Sequence, residues 1–180
     1  MKTKRFMIII SPHREQTKAM WEKRFPNVPL KGVESLVSSL PINLIASDMG
    51  IFVAIYDNKK DLDYLHIRCA IADYRQDGDG TITSVGYGDD NFSLYGNDES
   101  LCFAPVSPVC PLQPKSYTDS GGAIFGSIAV LGPLDSKGGT PSLTYNQLKD
   151  FCTNSVPLHC LWARSPTPAG MPSLDQPFYT

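Results

Sequence analysis

Residues 6–10 of the chain read FMIII, a continuous run of large apolar side chains, and Ser11-Pro12 follows at once. A strand with one face in water alternates apolar and polar residues, so an unbroken apolar run is typical of a buried strand. The polar and proline residues directly behind it mark the end of that strand. The run therefore predicts a buried strand near the start of the fold.

Two helices are predicted after this strand. Ser11 offers a hydroxyl N-cap and Pro12 suits the first helical position, so we expect a helix from there to about Phe25. A second helix is expected over residues 33–40, where apolar side chains recur at i, i+3, i+4 and i+7.

The hydrophobic period then changes from helical to that of strands. Short strands separated by tight turns predict an antiparallel meander between residues 42 and 104. The predicted strands of the meander are 42–46, 51–56, 65–73, 81–87, 92–95 and 101–104. Further along, the sequence predicts an extended loop (105–115), a long strand (121–131), a short helix (143–151) and a last strand (158–163).

These elements together predict an α+β fold. It consists of an antiparallel β-meander of about six to eight strands, two N-terminal helices and one short C-terminal helix. A length of 180 residues suits one domain. We expect a single globular domain over residues 1–164 and a proline-rich C-terminal arm over residues 165–180.

The charge balance argues against several classes of partner. The chain has 16 basic and 18 acidic residues, a net charge of −2, and no basic stripe for phosphate backbones, so no nucleic-acid partner is expected. The apolar run at 6–10 is shorter than a signal-peptide core, and no stretch approaches the length of a membrane span. We therefore expect a cytoplasmic protein without a membrane partner.

The five cysteines predict reduced thiols. An odd count without a signal peptide does not suit a disulfide framework. Cys102/Cys110 and Cys152/Cys160 are each separated by seven residues, whereas zinc ligands usually come in pairs two to four residues apart. We expect no metal and no cofactor.

One short motif points to hydrolysis. Residues 118–122 read TDSGG and resemble the D-S-G-G around the nucleophile of chymotrypsin-like serine proteases. The resemblance implies that Ser120 attacks a carbonyl whose developing charge is bound by backbone amides. It covers five residues, and His13 and His66, the histidines before Ser120, do not stand where that family places its base. A small serine hydrolase built on Ser120 is one alternative function.

The start of the first predicted helix suggests a second alternative. Ser11, His13 and Arg14 bring a hydroxyl, an imidazole and a guanidinium to a helix N-terminus, where backbone N–H groups favour anions. An anion- or nucleotide-binding protein would use these three residues.

The leading hypothesis is a non-enzymatic structural or interaction protein that assembles with copies of itself. It rests on low charge, many turns, a proline-rich tail and the lack of a coherent catalytic set. Assembly would use strand edges and the C-terminal arm, with Trp162, Phe178 and Tyr179 packing on a neighbour. Proteins of viral or phage particles and of inclusions have a similar composition, so the chain is expected in the cytoplasm or within such a particle.

Overall fold

The structure is a computed structural model. It describes residues 4–37, 46–57, 62–72, 82–84, 92–97, 109–119, 121–137, 139 and 141–157.

Strands and helices both occur along the described chain. The strands are β1 (Lys4–Ile10), β2 (Leu30–Gly32), β3 (Ile51–Asp57), β4 (Ile82–Ser84), β5 (Ser93–Asn97), β6 (Leu112–Pro114), β7 (Ile128–Leu131) and β8 (Ser155–Pro157). The α-helices are α1 (Arg14–Arg24), α2 (Tyr64–Ala70), α3 (Lys115–Asp119) and α4 (Tyr145–Thr153). Short 3-10 turns lie at Val33–Ser35 and Ala46–Met49. Within the ranges described, no helix has both the length and the apolar character that crossing a membrane requires.

The main sheet has the strand order β2-β3-β1-β7-β5-β4, and all of its pairings are antiparallel. β6 and β8 form a separate antiparallel pair. Mixed helices and antiparallel strands confirm the α+β class. This order is not that of a meander. β1 and β7 lie between β3 and β5, so strands that a meander would make neighbours are separated. A fully apolar strand is most stable when both of its faces are covered and other strands pair with both of its edges. β1 therefore lies inside the sheet.

β1 is buried on both faces, as its sequence predicts. Phe6, Ile8 and Ile10 point to one side, where they join a core that includes residues of α4 and β6. Met7 and Ile9 point to the other side, where α1 and α2 cover the sheet. The molecule therefore has three layers with the sheet in the middle.

The first helix forms but begins later than expected. α1 starts at Arg14, and its N-cap residue is His13, whose side chain makes no capping bond. The Ser11 hydroxyl accepts a hydrogen bond from the His13 backbone N–H (3.0 Å) and does not cap the helix. Trp21 anchors α1: its side chain is fully buried and its indole N–H donates to the Val28 carbonyl at 3.0 Å.

The predicted strand over residues 65–73 is wrong, because this segment forms α2. Asp63 caps the helix by accepting hydrogen bonds from the N–H groups of Leu65 and His66, and the His66 ring accepts one from the Asp63 N–H. The buried residues include Ile67, Cys69, Ala70 and Ile71, and three of them, Ile67, Ala70 and Ile71, have the i, i+3, i+4 spacing of a helix face.

Several other predictions are only partly met. The helix expected over residues 33–40 is a 3-10 turn at Val33–Ser35, and residues 38–40 lie outside the described residues. The long strand expected over 121–131 shortens to β7, because Gly121 and Gly126 have positive φ angles of 85° and 79° that interrupt an extended chain. The loop expected over 105–115 contains β6. The helix expected over 143–151 is present as α4, which Thr144 and Gln147 start with a capping box.

Other predicted elements cannot be compared with the structure. The strands expected at 101–104 and 158–163 and the arm at 165–180 lie outside the described residues. Of the strand expected at 42–46, only Ala46 is described, and it begins a 3-10 turn.

Two buried thiols give a test of the core. Cys110 and Cys152 form no disulfide, and burial raises the pKa of each thiol from 9.0 to about 12. The thiolate is the reactive form, so both should resist alkylation by N-ethylmaleimide at pH 8 in the folded protein and react once it is unfolded. Because the folded state holds the protons more tightly, their contribution to stability is complete below pH 9 and is lost as the pH rises towards 12.

Peptide mapping by mass spectrometry of native and denatured samples measures this protection. Equal labelling of Cys110 and Cys152 in both samples would contradict the core described above.

Candidate functional site

The β1–α1 junction gathers several polar residues at one end of the sheet. Ile10, the last residue of β1, lies opposite Ile51 of β3 and Ile128 of β7. The residues just beyond these positions, Ser11, Gly50 and Ser127, therefore meet at the same edge. The Ser11 N–H donates to the Gly50 carbonyl at 2.8 Å and closes the junction.

Three hydroxyl groups form a buried cluster beneath this junction. The Ser11 Oγ lies 2.8 Å from Thr17 Oγ1 and accepts a hydrogen bond from Ser127 Oγ, also at 2.8 Å. It also accepts a hydrogen bond from the His13 backbone N–H, which makes three hydrogen bonds in all. A serine hydroxyl has one donor and two acceptor positions, so Ser11 has no capacity left for a ligand. All three hydroxyl residues are buried, and their bonds tie α1 to β1 and to the start of β7.

Arg14 lies at the surface beside an open pocket of about 210 Å³. Its Nη1 donates to the Asp48 carbonyl at 2.6 Å and lies 3.7 Å from the Asp48 carboxylate, while Nη2 lies 3.7 Å from Glu15. Lys18 and Phe52 complete the pocket lining. Two carboxylates face the two basic groups, so the local charge is balanced and not strongly positive.

The predicted anion site is therefore brought together only in part. Arg14 lines a surface pocket and His13, the residue before it, is half-buried, but Ser11 is in the interior and its hydroxyl is fully used. Anion binding by Ser11, His13 and Arg14 remains a prediction.

The other predicted site residues lie outside the described residues. Ser120 is one of them, so its catalytic role also remains a prediction. Next to it, the Gly121 N–H donates to the Thr118 carbonyl at 3.0 Å. The expected interface residues Trp162, Phe178 and Tyr179 are likewise not described. Over the described ranges, no group of three or more His, Cys, Asp or Glu side chains is placed to hold a metal ion.

A surface that the sequence did not predict lies on α2. Tyr64 and Leu65 are 59% and 61% exposed, although they are large and partly or wholly apolar. Arg68, one turn further, places its guanidinium 5.9 Å from the centre of the Tyr64 ring. We refer to Tyr64, Leu65 and Arg68 as the α2 surface. Tyrosine and arginine are frequent in the energetic centres of protein interfaces.

The α2 surface is held in place by an aromatic contact with α1. The His66 ring stacks on Phe25 with 4.1 Å between ring centres, and the Trp21 ring lies 5.7 Å from it. His66 also lies 2.9 Å from the Asp63 carboxylate. Asp63 followed by His66 three residues later is a capping pattern, and it is the sequence signal that could have revealed the helix.

The charge of Asp63 supports this cap. Burial alone would raise the pKa of its carboxyl, but hydrogen bonds from the N–H groups of His66 and Leu65, together with the His66 ring, lower the pKa overall. Because the folded pKa lies below the unfolded value, the stabilisation is present at neutral pH and is lost as the pH falls through the lowered pKa.

Comparisons with known proteins do not place this chain in a family. No family model matches it, and no curated protein and no solved structure resembles it significantly.

Proposed function

We propose that this protein is a non-enzymatic structural or interaction protein that assembles with copies of itself. The observation that carries the proposal is the α2 surface, with two adjacent large side chains exposed on a helix that is fixed by its cap and by Phe25. The proposed setting is a cytoplasm, or a viral particle or inclusion formed within one.

The energetics favour the α2 surface over the strand edges. Burying the exposed parts of Tyr64 and Leu65 would contribute about 1–2 kcal/mol each, and a two-fold contact would bury both copies. Among the described strands the main sheet ends at β2 and β4, which are three residues each. Three residues provide few hydrogen bonds, each with a net contribution of about 1 kcal/mol. Strand addition would therefore assist association and not drive it alone.

The alternatives have less support. The anion-binding alternative needs a positive site, whereas Asp48 and Glu15 balance the charge around Arg14. The hydrolase alternative needs a base near Ser120. Of the two histidines before it, His66 is hydrogen-bonded to its own helix start and stacked on Phe25.

Light scattering after size exclusion tests the proposal at several protein concentrations. We expect the full chain to run as a dimer or larger assembly. The double substitution Tyr64→Ser/Leu65→Ser should shift it towards the monomer, because it removes the apolar area while leaving the Asp63 cap intact. A chain that ends at Ala163 should also dissociate if the arm contributes.

Tyr145→Ser is the matched control. Tyr145 is a large exposed residue on α4, on the opposite face of the sheet, so its loss should leave the assembly unchanged. A full chain that is monomeric at every concentration would refute the proposal. If the assembly is unchanged in the α2 double variant but dissociates in the truncated chain, the interface lies in the arm.

A further inference from the structure

A second pocket lies at the end of the sheet opposite the β1–α1 junction. β3 and β7 both end there, and the chain after β7 loops back before Leu143 pairs with Phe6. The pocket has a volume of about 230 Å³. Its lining includes Tyr56, Leu62, Leu131, Asp135, Pro141 and Ser142.

The loop that carries Asp135 is fixed by its own hydrogen bonds. The Asp135 Oδ1 accepts bonds from the N–H groups of Lys137 (2.9 Å) and Gly139 (2.8 Å), and the Asp135 N–H donates to the Gly139 carbonyl at 2.7 Å. The Gly132 N–H donates to the Pro141 carbonyl at 2.7 Å and closes the base of the loop. One carboxylate oxygen thus holds the loop, while Oδ2 makes no hydrogen bond to any described residue.

Ser142 adds a second polar group. It is only 6% exposed, yet its hydroxyl makes no hydrogen bond within the described part of the chain. Because Ser142 lines the pocket and its oxygen is not a fully buried one, the hydroxyl is open to solvent there. A ligand in the pocket could hydrogen-bond to it in place of water.

The rest of the lining includes apolar side chains, and the Arg5 guanidinium beside it is already engaged. Leu131 is buried, Leu62 is half-buried, and Tyr56 is buried beside them. Arg5 lies opposite Tyr56 in the sheet, and its Nη2 donates to the Ser142 carbonyl at 2.8 Å. The pocket thus offers a carboxylate oxygen and a hydroxyl that make no hydrogen bond within the described residues, beside the side chains of Leu62 and Leu131.

We propose that this pocket binds a primary ammonium group on a short aliphatic chain. The ammonium would donate to Asp135 Oδ2 and to the Ser142 hydroxyl, and the methylene groups would lie on Leu62 and Leu131. The volume equals that of roughly eight water molecules in the liquid and is below the ~300 Å³ where drug-sized sites begin. It suits a small amine or a single lysine side chain from another protein. This site is separate from the α2 surface and does not depend on self-assembly.

Titration of the ¹⁵N-labelled full chain with n-butylammonium chloride, followed by amide chemical shifts, tests the proposal. We expect saturable shifts in the amides around the pocket, and at least about tenfold weaker binding of n-butanol, which has the same shape without the charge. Asp135→Asn keeps an oxygen that can accept the two loop N–H groups, so it should preserve the loop and weaken binding about tenfold or more. Glu15→Gln removes one carboxylate from the other pocket and should change nothing.

Two results would overturn the proposal. One is equal binding of butylammonium and butanol, and the other is unchanged binding by Asp135→Asn with an otherwise native spectrum. Nα-acetyl-lysine N-methylamide distinguishes the two sources of the ammonium. If it binds at least as tightly as butylammonium, the site takes a protein lysine, and if it does not bind, the site takes a free amine.

Discussion

Replacing Gly50 with alanine is expected to lower the free energy of unfolding by about 4 kcal/mol, and with it the melting temperature by about 8–16 °C. Gly50 has a φ angle of 83°, in the left-handed region that other residues avoid. This strain alone costs an alanine about 1–2 kcal/mol. A Cβ at this position would also overlap the backbone carbonyl of Ser11. That carbonyl cannot move without disturbing the end of β1, so the overlap adds to the strain.

Gly121→Ala is the matched control for this substitution. Gly121 has nearly the same φ angle, 85°, but a Cβ there would meet no atom within 4 Å. It should therefore cost only the conformational strain, about 1–2 kcal/mol. Urea unfolding followed by circular dichroism measures both variants. Equal losses in the two variants would show that the contact with the Ser11 carbonyl is not what makes Gly50 necessary.

The buried strand could be predicted from residues 6–10 because its signal is local. Each of the five side chains is apolar. Because successive side chains of a strand point to opposite faces, burying such a run requires both faces of the strand to be covered. The order of the strands could not be predicted in the same way. Pairing of β1 with β3 and β7 joins segments more than 40 residues apart, and that choice depends on which faces pack together.

The segment that forms α2 shows why a hydrophobic pattern can mislead. Ile67 and Ile71 are spaced by four residues, which fits both the alternation of a strand and the face of a helix. Leu65 fits the alternation of apolar residues that predicted the strand, yet its side chain is 61% exposed. The Asp63/His66 cap decides in favour of the helix, and this error also hid the α2 surface.

The candidate sites could be predicted only in part from sequence spacing. Ser11, His13 and Arg14 are neighbours in the chain, but the turn after β1 sends Ser11 inward and Arg14 outward. Ser127 joins Ser11 only through strand register, which one sequence does not reveal. The same limit applies to the pocket of Tyr56 and Asp135, whose residues come from separate elements.

A leucine in place of Gln113 is expected to cost about 3–5 kcal/mol, although it adds apolar surface to the interior. Gln113 is fully buried, and its amide satisfies three backbone groups. Its Nε2 donates to the carbonyls of Cys110 (3.1 Å) and Ile124 (2.7 Å), and its Oε1 accepts from the Ile124 N–H at 2.7 Å. Leucine would leave all three groups buried without these partners, at about 1–3 kcal/mol each before relaxation.

Gln147→Leu separates this effect from the loss of a glutamine in general. Gln147 accepts only the Thr144 N–H of the α4 cap, at 2.9 Å, and is partly exposed, so water can replace the lost bond. We expect a loss of about 0.5–1 kcal/mol there. Urea unfolding of both variants gives the comparison, and hydrogen exchange at the Ile124 amide locates the effect. If Gln113→Leu is no less stable than Gln147→Leu, Gln113 does not hold the segment before β7 in place. If Gln113→Leu is destabilised and the Ile124 amide loses protection, the buried amide fixes that segment, and through it the start of β7 and Ser127.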